Sequence, residues 1–365
     1  MRKIMRAGLT GLLVVGAAVV LPLAAQEKPQ DGARGEKIVL DGHEFSSWEE
    51  VGRSGYFHDE ARHCATPDRD MAKLLFGEGN PSDCSSGSNN PDPSYNTATA
   101  YEIPVVVHII MNTSGTGALT DQQVQSQIDI LNEDFQALAG TNGANGNNVR
   151  VRFKLATTDP AGNATTGITR TTNDSWFNDS GTYYNTLAWN PNNYLNIYTN
   201  NASGALGYVP FFPQSGQAGT NADRVVILYS SFGRNAPLVP YDQGRTATHE
   251  VGHYLGLYHT FQGGCASATM PTCYTTGDLI CDTNSEQSPR FGCPAGATSC
   301  SSLDPITNYM DYTDDLCMEE FTPEQALRIR CTLLNYRPNL ASALNEVFSD
   351  GFESGNVSAW TLASP

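Results

Sequence analysis

Three histidines and one glutamate lie within eleven residues, at a spacing that suits one metal ion. On a helix, His249 and His253 would lie one turn apart on the same face, so their imidazoles could bind one zinc ion. Glu250 could then take a proton from a water molecule on the open side of the metal. Gly256 tolerates the positive φ of a sharp turn, which would bring His259 round as a third ligand. Three histidines leave one position for water, which is the pattern of a catalytic rather than a structural zinc.

The segments around this motif show strand and helix patterns in turn. Apolar runs and alternation predict four strands, over residues 101–110, 149–155, 194–198 and 225–229. Helical spacing predicts three helices, over residues 120–138, 246–257 and 322–335. The second helix carries the histidine motif, and the region after it is loop-rich and contains seven of the nine cysteines. These patterns indicate an α/β (α+β) fold with a mixed sheet and a cross-linked C-terminal part.

The extended histidine motif resembles that of the metzincin zinc proteases, which place a methionine in a tight turn beneath the metal. Met310 matches that residue, and a thioether could pack under the imidazoles. The stretches 259–265 and 308–317 further resemble the pappalysin family, in particular its smaller microbial, ulilysin-like members. Thr260 argues against astacins and adamalysins, which carry Glu and Asp at that place. The resemblance covers residues 100–337 and implies a metzincin-type domain with a twisted mixed sheet, an active-site helix and a loop-rich, disulfide-linked C-terminal subdomain.

The resemblance also implies roles for residues outside the histidine motif. Tyr312 would donate a hydrogen bond to the oxyanion of the tetrahedral intermediate. Asp315 would lie at the base of the S1′ pocket, where a carboxylate favours Arg or Lys after the scissile bond. Asp278, Asp282 and Thr283 would bind a calcium ion in a loop. The alternatives for these three assignments are a packed core tyrosine, a solvated carboxylate and a loop without metal.

The nine cysteines of an exported chain are expected to form disulfides, and an odd total leaves at least one thiol without a partner in the chain. The resemblance implies the pairs Cys265–Cys300 and Cys293–Cys317, with Cys273–Cys281 as a further local link. Cys331 receives no partner from this comparison.

The N-terminal region is typical of a secreted, latent precursor. Residues 1–25 have a positive start, an apolar stretch and small residues for cleavage, so they predict a signal peptide rather than a membrane anchor. Residues 26–95 would form a propeptide that ends in an exposed linker rich in Gly, Ser, Asn and Pro, where cleavage is expected. Pappalysin-like precursors carry an Arg-x-Cys element similar to that at Cys64, which could occupy the open zinc position as a cysteine switch. The alternative is a disulfide from Cys64 to Cys84 or Cys331.

These features together predict a secreted zinc-dependent endopeptidase that acts on proteins or peptides. The catalytic domain would span residues 96–341 and a short tail residues 342–365. The formal net charge of −17 argues against a nucleic-acid partner, and no later segment is apolar enough to cross a membrane. The main alternative is a non-catalytic binding module with a structural zinc, which would have no need of a base such as Glu250. A zinc hydrolase of another substrate class is the third possibility.

Overall fold

The computed structural model describes residues 37–40, 42–67, 84, 95–96, 98–267, 272–274 and 276–344. The predicted signal peptide, most of the predicted linker and all but the first three residues of the predicted tail lie outside these ranges. Within the described ranges, no helix has both the length and the apolar character needed to span a bilayer.

Eleven strands and seven α-helices are found in the described chain. The strands are β1 (Ile38–Leu40), β2 (His43–Phe45), β3 (Ala100–Met111), β4 (Val151–Leu155), β5 (Ile168–Thr172), β6 (Leu195–Asn200), β7 (Gly207–Tyr208), β8 (Val225–Leu228), β9 (Thr298–Ser299), β10 (Ser302–Leu303) and β11 (Ser342–Leu344). The α-helices are α1 (Trp48–Arg53), α2 (Glu60–His63), α3 (Asp121–Gln136), α4 (Asp174–Phe177), α5 (Tyr183–Leu187), α6 (Arg245–Tyr254) and α7 (Pro323–Tyr336). The longest of these elements are β3, α3 and α7.

The central feature is a seven-stranded mixed sheet in the order β11-β3-β6-β8-β7, with β4 and β5 also paired to β3. Strands β4, β5 and β6 run parallel to β3, and β8 runs parallel to β6. Strands β7 and β11 are antiparallel to their neighbours. The predicted α/β fold with a mixed sheet is thereby confirmed. Strand β11 begins at Ser342, so three residues of the predicted tail belong to the sheet.

The two long helices begin where the sequence predicts, because a threonine caps each of them. The hydroxyls of Thr120 and Thr322 accept a hydrogen bond from the backbone N–H of Gln123 and Gln325. The side-chain oxygens of these glutamines accept a hydrogen bond from the backbone N–H of the two threonines in turn. Helix α3 ends at Gln136, two residues before the predicted end, because Ala137 adopts the left-handed conformation with φ of 49°.

The sheet has an apolar core on each face, since successive strand residues point in opposite directions. The first core joins the sheet to α3, α6 and α7. The second core lies on the other face and includes residues of the predicted propeptide, among them Trp48, Val51 and Phe57, which pack with Tyr198 and Val226. Residues 37–40 and 42–67 of the predicted propeptide are called the pro-segment below. The pro-segment is therefore folded onto the rest of the chain.

Four disulfides cross-link the chain, and all nine cysteines are among the described residues. The pairs are Cys84–Cys331, Cys265–Cys300, Cys273–Cys281 and Cys293–Cys317. Cys331, which the family resemblance left without a partner, is thus bonded to Cys84. Cys64 is free and buried, so neither of the disulfides considered for it is formed.

Candidate metal centre and catalytic site

Helix α6 presents the histidine motif, and its glycines allow close packing. Gly244 precedes the helix with φ of +76°, and a Cβ there would lie 2.8 Å from the side chains of Gln127 and Ile130 on α3. Gly252 lies within the helix, where a Cβ would come within 2.5 Å of the sulfur of Met310. The Met310 thioether therefore packs directly against the helix that carries the motif, at a place where only glycine fits.

The chain leaves α6 through the sharp turn that the sequence predicts. Gly256 has φ of +95°, and a Cβ there would lie 2.4 Å from the Thr332 hydroxyl of α7. The Arg328 guanidinium of the same helix donates a hydrogen bond of 2.7 Å to the Gly256 carbonyl. Helix α7 thus fixes the turn that brings His259 next to the two histidines of α6.

The three imidazoles converge on one point. The Nε2 atom of His253 lies 3.0 Å from Nε2 of His249 and 3.0 Å from Nε2 of His259. The Nδ1 atoms of His249 and His253 lie 2.7 Å and 2.8 Å from the carbonyl oxygens of Tyr309 and Leu257. A carbonyl oxygen only accepts, so each of these Nδ1 atoms carries the proton and each Nε2 directs a lone pair inward.

Burial adds an electrostatic argument for a metal at this point. It lowers the pKa of His249 to about 4, and it lowers the pKa of His253 and His259 well below the ordinary value. All three imidazoles are therefore neutral at pH 7, which is the form that binds metal. Buried lone pairs that face one another repel unless a cation lies between them. The donor set fits zinc, which favours three histidines with one further ligand.

Tyr312 and Glu250 lie beside the three histidines. The Tyr312 hydroxyl is 3.1 Å from Nε2 of His259, and its ring centroid is 5.7 Å from that of His249. Glu250 is buried, and desolvation raises its pKa to about 8. Gly207 of strand β7 approaches Glu250 so closely that a Cβ at that glycine would lie 2.8 Å from Cγ of the glutamate. The motif, the turn after Met310 and β7 thus enclose a single site.

The pro-segment lies along β7 and reaches into this site. Cys64 forms a parallel bridge with Gly207, whose carbonyl accepts a 3.0 Å hydrogen bond from the backbone of Ala65. The Cys64 sulfur and one ring nitrogen of each of the three histidines all lie within 4.8 Å of one another. Burial and the neighbouring Glu250 raise the pKa of the Cys64 thiol. The Thr66 hydroxyl donates to Oε2 of Glu250 over 3.1 Å and accepts from the Val209 backbone over 2.8 Å.

Asp315 lines a small pocket that also contacts His249 and Glu250. Its Oδ2 atom accepts hydrogen bonds from the backbone N–H groups of Gln243 and Arg245, at 2.8 Å and 3.1 Å. Asp315 therefore also caps the start of α6. Burial raises the pKa of Asp315 to about 7.

The predicted calcium ligands are only partly brought together. The Thr283 hydroxyl donates to Oδ2 of Asp278 over 2.6 Å, and the Ile280 backbone donates to Oδ1 over 3.1 Å. Burial raises the pKa of Asp278 to about 7. Asp282 instead accepts from the backbone N–H of Glu324 at the start of α7, over 2.8 Å.

Several residues of this site have no local signal in the sequence. Asp134 of α3 accepts hydrogen bonds from Arg245, Thr248 and Tyr309, at 3.1, 2.6 and 2.9 Å. It thereby ties α3 to α6 and to the turn that holds Met310. The other site residues that no sequence pattern indicated are Thr66, His63, Tyr241 and Gly207.

Comparison with known proteins agrees with this geometry. Residues 178–334 match the profile of the peptidase M43 family, described as pregnancy-associated plasma protein-A. An extracellular metalloprotease of Podospora anserina is 38% identical over 256 residues, which are 67% of this chain and 77% of that protein. An extracellular metalloprotease of Verticillium alfalfae is 35% identical over 291 residues, 76% of this chain and 92% of that protein.

Two solved structures from Tannerella forsythia are similar to this fold. A promirolysin mutant is 33% identical with a TM-score of 0.60, over 76% of this chain and 97% of that one. Mature mirolysin in complex with a cleaved peptide is 38% identical with a TM-score of 0.55, over 67% of this chain and 100% of that one. The chain therefore belongs to the M43 (pappalysin) family of metzincin peptidases and is an extracellular metalloprotease.

Proposed function

We propose that this protein is the latent precursor of a zinc endopeptidase in which Glu250 is the general base and Tyr312 the oxyanion donor. The observation that carries the proposal is the convergence of three inward-facing Nε2 atoms beside one buried glutamate. Zinc held by these histidines would supply an acidified water molecule and polarise the scissile carbonyl.

The two side chains would divide the work between proton transfer and charge stabilisation. Glu250 would take the proton of the attacking water and pass it to the amine that leaves. The Tyr312 hydroxyl, already within 3.1 Å of a metal-ligand nitrogen, would donate a hydrogen bond to the oxygen that becomes negative. Its burial places this donor in a medium where a hydrogen bond to an anion is strong.

Peptide mapping of a proteome-derived library by mass spectrometry tests this assignment. Protein cleaved in the linker before Cys84 should cut peptide bonds, and Glu250→Ala should abolish the cuts, since removal of a general base costs about 10²–10⁴-fold in rate. Asp129→Ala removes an exposed carboxylate from α3 and serves as the control. Equal cleavage by the wild type and Glu250→Ala, or cleavage by neither, would instead support a non-catalytic module.

Latency is the second part of the proposal. The pro-segment would block the site with Cys64 as a thiolate ligand to the metal and with Thr66 bonded to the general base. Both residues enter the site directly, so the metal and the base would be blocked together. Cleavage in the linker before Cys84, which separates the pro-segment from the catalytic domain, would then expose the site.

The isosteric variant Cys64→Ser tests the switch, because a hydroxyl is a poor zinc ligand at neutral pH. The uncut variant precursor should hydrolyse a quenched peptide faster than the uncut wild-type precursor, with intact chains verified by mass spectrometry. Ser54→Ala in the same pro-segment is the matched control. A Cys64→Ser precursor as silent as the wild type would rule out the switch.

We also propose that Asp315 selects Arg or Lys at P1′. Its support is a buried carboxylate in the pocket that adjoins His249 and Glu250. A charged partner in the substrate would compensate this carboxylate. The cleaved positions in the peptide map should therefore be followed by Arg or Lys. Asp315→Asn keeps an oxygen that can cap α6 and should remove the basic preference. An unchanged preference in this variant would contradict the assignment.

Calcium is proposed at the loop of Asp278, Asp282 and Thr283. Asp278 is fully buried, and each of its oxygens retains a lone pair beyond the hydrogen bond that it accepts. A hard cation would compensate the buried charge. Calcium should raise the melting temperature of the wild type and leave that of Asp278→Asn unchanged. An equal response, or none, would contradict the site.

A further inference from the structure

A buried network of charged side chains lies behind the third histidine and Tyr312. The carboxyl groups of Glu286, Asp304 and Asp311 are buried, and Arg290 is the one cation paired with them among the described residues. The Arg290 guanidinium donates to Oδ2 of Asp304 over 2.7 Å and lies 3.7 Å from Oε1 of Glu286. Its backbone N–H donates to Oδ1 of Asp311 over 3.0 Å. The network therefore combines three buried carboxyl groups with one positive charge.

This network contacts the candidate site at two places. Thr260 follows His259 in the sequence, and its hydroxyl donates to Oε2 of Glu286 over 2.9 Å. The Thr260 backbone N–H donates to a carbonyl of the methionine turn over 3.2 Å. Asp311 directly precedes Tyr312, whose hydroxyl lies 3.1 Å from Nε2 of His259. Glu286 thus contacts the segment of the third histidine, and Asp311 belongs to the segment of the proposed oxyanion donor.

Two oxygens of the network lack a hydrogen-bond donor. Oε1 of Glu286 and Oδ2 of Asp311 are buried and have no hydrogen-bond partner among the described residues. Two ionised carboxylates at this depth repel each other, because the one guanidinium is already paired with Asp304. A proton on Glu286 removes one negative charge and supplies a donor where both oxygens lack one. Burial and the charge of Asp311 accordingly raise the pKa of Glu286 well above its ordinary value.

We propose that Glu286 is a positioning residue that holds His259 and Tyr312 together, and that it acts as a neutral carboxylic acid. Both partners have their roles in the zinc endopeptidase proposed above, so this inference rests on that proposal. The neutral acid accepts from Thr260 without repelling Asp311. A second negative charge there would push the segment of Thr260 away from the methionine turn. His259 and Tyr312 would then lose the contact that places the hydroxyl beside the metal ligand.

A pair of variants tests the role and the protonation state together, in enzyme cleaved before Cys84. Glu286→Gln is the isostere of the neutral acid, since its amide offers one acceptor to Thr260 and a donor to Asp311. It should keep most of the activity on a quenched peptide at neutral pH. Glu286→Ala should lower kcat/KM about 10- to 100-fold, mainly through kcat, as is typical when a support of a metal ligand is removed. Equal loss in both variants overturns the neutral form, and wild-type activity in Glu286→Ala overturns the positioning role.

The pH profile gives a readout that a purely structural role would not change. The wild type should lose kcat at alkaline pH as Glu286 ionises. Glu286→Gln cannot ionise, so its decline should begin at higher pH. Glu133→Gln is the matched control, because it removes a carboxylate paired with Arg234 over 2.8 Å, and its profile should follow the wild type. Superimposed profiles of the wild type and Glu286→Gln would contradict the proposal.

Zinc retention gives a readout that does not depend on turnover. Glu286→Ala should lose zinc to a chelator at about tenfold lower chelator concentration than the wild type, whereas Glu286→Gln should retain it. Thr260→Val removes the hydroxyl that donates to Glu286 and should lose zinc in the same way, so the test does not depend on the folding of Glu286→Ala alone. Wild-type retention and activity in Thr260→Val and Glu286→Ala overturn this inference alone. A cleaved wild-type protein that cuts no peptide overturns the proposed function instead.

Discussion

The disulfide Cys84–Cys331 makes the position of cleavage decisive for activation. Cys84 belongs to the predicted propeptide and lies twenty positions after Cys64, the proposed switch residue. The disulfide joins it to Cys331 of helix α7. Cleavage before Cys84 would separate the pro-segment from the catalytic domain. Cleavage between Cys84 and the start of β3 would leave the pro-segment covalently attached. We predict that only the first cut activates the enzyme under non-reducing conditions.

The magnitude follows from the length of the tether. For about twenty residues, the random-coil relation gives an end-to-end distance of about 25 Å, and linkers of that length give effective concentrations on the order of 1 mM. A released pro-segment in an assay at about 10 nM enzyme would be about 10⁵-fold more dilute than that. The attached pro-segment also retains the burial of Trp48, Val51 and Phe57 in the core of one sheet face. It should therefore rebind far more readily than a released one.

The assay places a foreign protease recognition sequence either within residues 68–83 or within residues 85–94. Each precursor is cut to completion, and hydrolysis of a quenched peptide is measured without reductant. The first cut should release activity, and the second should leave the enzyme largely latent. The double variant with Cys84→Ser and Cys331→Ser should erase the difference, which controls for other effects of the insertion. Equal activity after the two cuts, with the disulfide verified by mass spectrometry, would refute the reasoning.

Three further predictions concern the metal, the core and pH. A zinc chelator should abolish peptidase activity in the cleaved enzyme, and added zinc should restore it; activity that survives metal removal would contradict the metal centre. Asp134→Ala should lower the unfolding free energy by about 3–5 kcal/mol, because it removes the carboxylate that pairs with the buried guanidinium of Arg245. Denaturant unfolding in a Glu250→Ala background measures this loss, and a loss below about 1 kcal/mol would contradict the prediction. Burial raises the pKa of Asp278 to about 7, so its contribution to stability is full below its unfolded pKa and is lost as pH rises through about 7. Without calcium, the melting temperature should therefore fall over that range more steeply in the wild type than in Asp278→Asn, and parallel curves would speak against this.

Local pattern was enough to find the parts of the site that depend on helical spacing. His249 and His253 lie four residues apart in the sequence and therefore on one face of α6. The core face of α3 follows from the same rule, since Val124, Ile128 and Leu131 are all buried. The turn to His259 was predictable because a glycine stands where φ must be positive.

Contacts between distant parts of the chain carried no such signal. Thr66 bonds to Glu250 across 184 positions, and Cys84 pairs with Cys331 across 247. Family resemblance alone predicted a place for Asp315 in the pocket. Its second contact, as the cap of α6, depends on how the segment after the methionine turn returns to the helix start. Such a contact is set by tertiary packing and not by any periodicity.

The short stretch from His63 to Thr66 enters the candidate site at three places. Its three buried side chains lie in different parts of the site: His63 in the pocket, Cys64 at the histidines and Thr66 on Glu250, the proposed general base. Cys64 and Thr66 are two apart in an extended segment, so both side chains face the same way. Loss of the thiol alone leaves the other two contacts in place. An uncut Cys64→Ser precursor should therefore be active but slower than the cleaved enzyme, and the remaining difference measures what His63 and Thr66 contribute. If Cys64→Ser already matches the cleaved enzyme, the thiol is the whole of the latency and the neighbouring contacts are structural only.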